Sequence, residues 1–429
     1  MNSLADTLRN THLRDVPENS EHLLFRPQAD SRLTPSAFDR IPRYLFRVAS
    51  PKSAGTTNET WVRSESATQG QNPYTDDIFF NLNDEMRTTV ARTLNLHLRW
   101  WPKRGIRDNF VSWTSSLLFA IQYIYYRHLS PDDGSSLDQI KLFLIDTDLF
   151  PKGIFLRDLD LINAFWESGN HPAGKNLENL RYLRNQPENY FGEYLSQGAL
   201  KIEGKCEIIS AQSIFKDKRL LRLQPNFCEF HDLPFNKGKP VWVREVARLR
   251  EAIWRTTDPG ILSPAEMSHR LEALKEIVRN LDPSWKSPLA IYFASLIGCW
   301  SSTKDRGMAM ENILGYFHST FPHEQQVWRF SNVETDIQET MPEINEVKRL
   351  AYETYKYSTL KLTLDRISTA EASIGSLRFD NVFSGNGHAC AVADSNEFVD
   401  HTSQSLLTRL RSVQTLCERL ILGISSIAV

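Results

Sequence analysis

The chain has 429 residues, 41% of them hydrophobic and 24% charged, enough for more than one core because single cores rarely grow past about 250–300 residues. A formal net charge of −2 gives no global electrostatic reason to bind nucleic acid or an anionic membrane. Five scattered cysteines, Cys206, Cys228, Cys299, Cys390 and Cys417, are odd in number and fit reduced thiols in an intracellular setting, cytoplasmic or nuclear, rather than a disulfide framework.

Residues 1–40 are polar, carry Pro17, Pro27 and Pro35, and show no sustained helical or strand period, which predicts a disordered arm. The start, Met1-Asn2-Ser3-Leu4-Ala5-Asp6, lacks the charged and apolar stretches of a secretory signal. From 41 to 214, short apolar runs alternate with amphipathic stretches, which predicts an α+β domain. Tyr44 to Val48 reads as a strand. Asp84 to Trp101 reads as a helix with Met86, Val90, Leu94 and Leu98 on one face. Phe110 to Thr114 is a strand running into a helix over Ser115 to Arg127, and Leu142 to Ile145 and Cys206 to Ala211 are apolar strand-length runs. Gln197-Gly198 predicts a tight turn between Glu193-bearing and Ala199-bearing segments.

Between 215 and 240, Pro225, Pro234, Gly238 and Pro240 predict a linker. Residues 241–429 then read as an all-α helical domain. Val241 to Arg255 is its first helix. Ser263-Pro264-Ala265-Glu266 opens the second with a hydroxyl cap, proline at the first position and Glu at the third, and Met267, Leu271, Leu274, Val278 and Leu281 share one side. Further helices are expected over Pro288–Ser301, Ala309–Thr320, Ile344–Ile367 and Ser405–Leu422, with a loop from Ser373 to Ser403. In the last helix Leu406, Leu410, Val413, Cys417 and Leu420 form an apolar seam for another helix. The longest apolar run, Leu289 to Trp300, and the apolar tail from Leu420 are both shorter than the roughly 20 residues a membrane span needs, so no membrane partner is expected.

Three places carry chemistry. Arg47 projects from the face of its strand opposite Tyr44, Phe46 and Val48, which is costly unless it reaches water or an anion; pairing with a nearby acid at the strand edge is the plainer explanation. Ser112 and Thr114 point to one side of the next strand and Ser115 closes it; such hydroxyls also serve as ordinary helix caps. Glu193 follows Tyr190-Phe191-Gly192 and precedes a strand. A carboxylate there can stabilise positive charge as a glycosidic bond breaks, or lie at a strand end with no further role.

In this order the segments resemble the ADP-ribosyltransferases of enterotoxin type, whose site combines an Arg, a Ser-Thr-Ser strand and a catalytic Glu. Leu45-Phe46-Arg47-Val48-Ala49-Ser50 is similar to the family's first strand, Phe110-Val111-Ser112-Trp113-Thr114-Ser115 to its hydroxyl strand, and Glu193 to Ile208 to its Glu-bearing region. The resemblance covers about residues 41–212 and leaves the helical part unexplained. It implies split small β-sheets, NAD as the substrate, and cleavage of the nicotinamide–ribose bond with transfer to a protein acceptor or to water. Arg47 would hold the diphosphate and ribose, Ser112 and Thr114 with Ser115 would bind the cofactor by shaping the nicotinamide pocket, and Glu193 would be catalytic. The hydroxyl motif is interrupted by Trp113, and the position two before the glutamate is Phe191, where arginine-modifying members carry Glu. Arginine is therefore not the expected acceptor. The N-terminal region also resembles uncharacterised fungal proteins with stretches like His97-Leu98-Arg99-Trp100-Trp101-Pro102.

The rival expectation is a catalytically inactive scaffold that binds a protein partner through the helical part. Weaker constellations are Asp146-x-Asp148 and Asp158-x-Asp160, able to offer oxygen ligands to a divalent cation, and the half-sites Cys228-x-x-His231 and His388-x-Cys390 for zinc. No metal is assigned. A Ser-His-Asp nucleophile lacks the expected Gly-x-Ser-x-Gly context.

Overall fold

The apolar runs over 44–48, 110–114 and 142–145, and the run from 206 as far as Ser210, all lie in one antiparallel sheet; Ala211 opens a helix. The structure, a computed structural model, describes residues 21–28, 31–69, 77–101, 105–106, 108–169, 171–172, 174–233, 241–255, 262–298, 305–321 and 341–375, with 408, 411–412 and 414–415. Its strands are β1 (His22–Leu23), β2 (Tyr44–Ala49), β3 (Thr56–Thr57), β4 (Trp61–Arg63), β5 (Phe110–Thr114), β6 (Lys141–Asp146), β7 (Leu156–Arg157), β8 (Glu193–Lys201) and β9 (Cys206–Ser210). They are ordered β3-β4-β8-β5-β2-β6-β9, with β1 and β7 also paired to β8.

The sheet curls and is pinched in the middle. β2 pairs with β6 from Tyr44 opposite Asp146 to Ala49 opposite Lys141, and β5 pairs with β8 from Phe110 opposite Gln197 to Thr114 opposite Glu193. Between these two halves, β2 and β5 share the single bridge Phe46–Thr114. The backbones part beyond it, which leaves room for a cavity between them.

Gln197-Gly198, expected as a turn, lies inside β8 instead. Residues before Gly198 pair with β5, whereas Ala199 to Lys201 pair with β4. Gly198 takes a positive φ of 64° at the changeover, where a residue with a Cβ is strained. The glycine swivels the strand without ending it.

The helices are α1 (Glu65–Gln69), α2 (Asp84–Leu98), α3 (Leu117–Leu129), α4 (Asp158–Phe165), α5 (Leu177–Arg184), α6 (Ala211–Phe215), α7 (Arg219–Leu223), α8 (Val241–Arg250), α9 (Pro264–Val278), α10 (Pro283–Ser295), α11 (Asp305–Thr320) and α12 (Pro342–Gly375). Val90, Leu94 and Leu98 of α2 pack with Leu161 and Phe165 of α4 and Leu180 of α5 against Phe110 and Leu195 of the sheet. Met86, on the same predicted stripe, is 40% exposed and lies outside this core. The opposite face buries Leu45, Val111, Trp113, Phe143 and Tyr194. Fully burying such a side chain contributes about 1.5–3 kcal/mol. From β2, the Phe46 ring meets Tyr292 of α10 edge-on with centroids 4.8 Å apart.

Local signals set the helix ends. Asn83 accepts a hydrogen bond from Met86 N, Ser116 from Phe119 N, and Ser263 from Glu266 N, as the cap expected at Ser263 requires. α10 starts earlier than Pro288 because Asp282 caps it and Pro283 occupies the first helical position; Pro288 lies within the helix.

Two expectations need correction. Residues 21–28 and 31–40, read as part of a disordered arm, are placed on the sheet: β1 pairs with β8 and Phe25 and Ala37 are buried. A few apolar anchors in a proline-rich stretch were enough, since each needs only an existing core to dock on. In the stretch read as a linker, residues 215–233 hold α7 and bury Leu220, Leu223 and Phe227; Gln224 Nε2 donates to the carbonyl oxygens of Leu296 and Ile297 at 2.9 and 2.7 Å.

The chain divides into two units, Met1–Ile313 with Arg329–Lys348, and Leu314–Trp328 with Arg349–Val429. The first holds the sheet and α1 to α10. In the second, Phe317 and Phe321 pack at 5.6 Å and the remainder of α12 exposes Tyr352, Leu360 and Leu364. The N-terminal sheet with helices is thus followed by a helical region. Among the described residues no helix is long and apolar enough to cross a membrane. The expected arm over 1–20, most of the seam over 405–422 with Cys417, the loop from 376 to 403 with His388 and Cys390, Cys299, and the tail from Leu420 lie outside the described residues.

Candidate functional site

Glu193 begins β8, and the residue before it explains how it is aimed. Gly192 has a φ of 62°, and a Cβ there would run into Ser115 Oγ and Met341 Cε. Thr114 Oγ1 donates to Phe191 O at 2.7 Å and Ser115 N donates to Gly192 O at 2.9 Å, so the hydroxyl strand clamps the backbone on which Glu193 stands. Phe191 itself is buried, stacked on Phe119 at 5.1 Å. It offers no acid or amide to an acceptor.

The Glu193 carboxylate is buried and held from two sides. Ser112 Oγ donates to Oε1 at 2.7 Å and Arg184 Nη2 to Oε2 at 2.7 Å. Behind it, Arg184 Nε lies 3.5 Å from Asp158 Oδ2. Asp158 is completely buried, and burial pushes its carboxyl up to about 7; the Arg184 guanidinium opposes the rise and the neighbouring Glu193 charge adds to it. One cation therefore serves two buried carboxyl groups.

Arg47 approaches from the other half of the sheet. Its Nη1 donates to Ser112 O at 3.0 Å and its Nε to Thr57 Oγ1 at 3.1 Å. Among the described residues no carboxylate pairs with it, against the strand-edge ion pair considered above. Burial lowers its pKa to about 10, partly countered by Tyr123 and reinforced by Arg127, so it remains a cation at neutral pH. A half-buried cation without a fixed counter-ion favours an anionic ligand.

Arg47, Ser112 and Glu193 line one cavity of about 320 Å³ between β2 and β5, which also takes in Thr114, His97 and Asp108. Ser115 stands outside its lining, behind Gly192. One wall is aromatic. Phe119, Tyr123 and Tyr126 stack along α3 with interplanar angles of 4° and 10°, and the Trp100 ring lies 4.8 Å from Tyr123. Such a wall suits a flat ring, and the Arg47 end suits a phosphate.

Sequence reading missed His97, Asp108 and Arg184 as members of the site. His97 Nδ1 is 2.6 Å from Asp108 Oδ2, and its Nε2 is 2.8 Å from Ser112 Oγ. An ionised Asp108 only accepts, so Nδ1 carries a proton. With Nε2 also protonated, His97 donates to Ser112 and Ser112 to Glu193; with Nε2 bare, the Ser112 proton turns to His97 and leaves Glu193. The available signal was position. His97 continues the buried Val90–Leu94 stripe of α2, and Arg184 continues Leu177–Leu180 on α5, so both are polar residues on apolar faces. Asp108, in the approach to β5, had no such signal.

The other constellations are differently engaged. Arg43 pairs with Asp146 at 2.8 Å and Asp148 at 3.4 Å, and Arg157 and Arg40 pair with Asp160 at 3.2 and 3.3 Å, so guanidinium groups stand where a cation would. Cys228 Sγ contacts Glu245 and Arg248, and no cluster of three or more metal-ligating side chains occurs among the described residues.

Residues 40–200 match the model of a family described as a domain of unknown function, DUF7587. No curated protein and no solved structure matches the chain. The matched span contains the three hydrogen-bonded elements of the site, β2, β5 and the start of β8, together with His97, Asp108 and Arg184.

Proposed function

We propose that the cavity binds NAD and cleaves its nicotinamide–ribose bond, as an ADP-ribosyltransferase or an NAD glycohydrolase. The observation that carries this reading is the meeting of Arg47 and Glu193 at Ser112: the arginine on its carbonyl at 3.0 Å and the carboxylate on its hydroxyl at 2.7 Å. Arg47 holds the diphosphate, the aromatic wall takes a ring of the dinucleotide, and Glu193 stabilises the oxocarbenium-like charge that grows as nicotinamide leaves. The single β2–β5 bridge supports the same reading, because it leaves the cavity between two halves of the one continuous sheet rather than between the two separate sheets expected.

The inactive-scaffold reading draws on one specific observation: both Glu193 oxygens already have partners, Ser112 and Arg184. A serine-nucleophile reading draws on the Asp108–His97–Ser112 chain, but the Glu193 carboxylate 2.7 Å from Ser112 Oγ would repel the oxyanion of an acyl-transfer intermediate. Incubating the purified protein with NAD and measuring free nicotinamide separates the three. Nicotinamide in molar excess over protein, dependent on Arg47, is the expected result. NAD binding without release favours the scaffold, and covalent labelling of Ser112 by a fluorophosphonate would favour the serine nucleophile.

A further inference from the structure

Nicotinamide departs as a neutral molecule carrying the electron pair of the broken C1′–N bond, so the leaving group needs no acid. The acceptor is different. When its oxygen attacks C1′ and the new C1′–O bond forms, a proton must be removed. Phe191, two residues before Glu193, is a buried stacked aromatic with no group to receive it. Glu193 is held at one oxygen by Arg184.

The cavity wall holds a better placed base. Asp108 Oδ2, 2.6 Å from His97 Nδ1, keeps the proton on that nitrogen and turns Nε2 toward Ser112 Oγ at 2.8 Å. When Nε2 is bare, Ser112 donates to it. Two things follow at once: Glu193 Oε1 is released for a substrate hydroxyl, and Ser112 Oγ, on the cavity wall, is free to accept a hydrogen bond from it. The charged groups around this chain are Asp108 and Glu193 in contact with it, Arg184 beyond Glu193, Arg47 on the Ser112 carbonyl, and Glu65, Lys52 and Arg127 on the cavity wall.

Resting on the NAD-cleaving reading, we infer that His97, held by Asp108 and acting through Ser112, is the base for an acceptor that attacks through a hydroxyl oxygen. The acceptor O–H gives its proton to Ser112 as Ser112 passes its own to His97 Nε2, which returns it to solvent. NAD and the acceptor become the O-linked ADP-ribosyl product, nicotinamide and a proton. A neutral imidazole takes a proton from water or an alcohol as the oxygen becomes positive in the transition state. A hydroxyl oxygen has a lone pair with which to attack before it loses its proton, whereas the lone pairs of a guanidinium are delocalised into its cation, so water and hydroxyl-bearing acceptors form the class.

The test follows nicotinamide release by the full chain from about pH 5 to 9, with ADP-ribose and methyl-ADP-ribose quantified when methanol is added. Wild type is expected to gain activity with rising pH through one ionisation that depends on His97, and to form the methyl product. His97→Gln should lose about 100-fold and the ionisation with it, within the range for removal of a general base. His97→Ala should regain activity on addition of imidazole, which a purely structural role would not show. Near-UV circular dichroism checks that both variants are folded. Wild-type release with His97 variants inside threefold and an unchanged pH profile overturns the inference and leaves NAD cleavage standing. Absence of release from wild type overturns both.

Discussion

The buried Asp158 makes a prediction about stability that is independent of any substrate. Its carboxyl is pushed from the ordinary 3.8 up to about 7 by burial, with Arg184 opposing and Glu193 adding. Between those two values the unfolded chain has lost the Asp158 proton and the folded protein has kept it. Fewer protons on the unfolded state mean that stability falls as pH rises. The gap is about three pH decades at about 1.4 kcal/mol each, or about 4 kcal/mol at most. Asp158→Asn removes this dependence while leaving the Arg184–Glu193 pair intact. Urea unfolding of both proteins at several values from about pH 4 to 7.5 gives the difference directly. The Asn variant should gain up to about 4 kcal/mol relative to wild type across that window. A difference that stays flat, or that moves in favour of wild type with rising pH, would refute the idea that the fold buries this carboxyl in its neutral form.

Other consequences are testable in the same way. Gly192→Ala places a Cβ against Ser115 Oγ at a positive φ of 62°, and should cost about 1–3 kcal/mol of stability, read by thermal melting, with nicotinamide release falling as Glu193 shifts. Glu343 and Arg250, each 2% exposed, pair at 2.6 Å, and Ser116 Oγ also donates to Glu343 at 2.8 Å. Glu343→Ala should cost about 3–5 kcal/mol because Arg250 is left buried and uncompensated, whereas Arg250→Met with Glu343→Met should recover most of it in a double-mutant cycle. If the double variant is as unstable as the single, the unpaired charge is not the cause.

The sequence was informative where one strand or helix carries its own signal. Tyr44 to Val48 and Phe110 to Thr114 alternate, so the sides taken by Ser112 and Trp113 follow from period two: Ser112 reaches Glu193, and Trp113 joins the opposite core. Ser263-Pro264-Ala265-Glu266 announced its helix through backbone chemistry alone. What stayed hidden depends on distant segments meeting. His97, Asp108 and Arg184 reach Ser112 and Glu193 from α2, the approach to β5, and α5, and no local pattern encodes those approaches. Ser115 shows a subtler limit. Its hydroxyl belongs to the expected trio, but the close approach of Gly192 places it behind the glutamate rather than on the cavity wall. The proline-rich start and the 215–233 stretch were misread because a few apolar side chains dock onto cores built elsewhere.

The most direct test of NAD cleavage compares Glu193→Gln with wild type, in NAD affinity and in nicotinamide release at saturating NAD. Glutamine keeps the shape and can still accept from Arg184, so binding should stay within about threefold while release falls by about 100-fold or more, as expected when stabilisation of the developing charge is lost. A glutamine variant that releases nicotinamide at the wild-type rate would contradict the account.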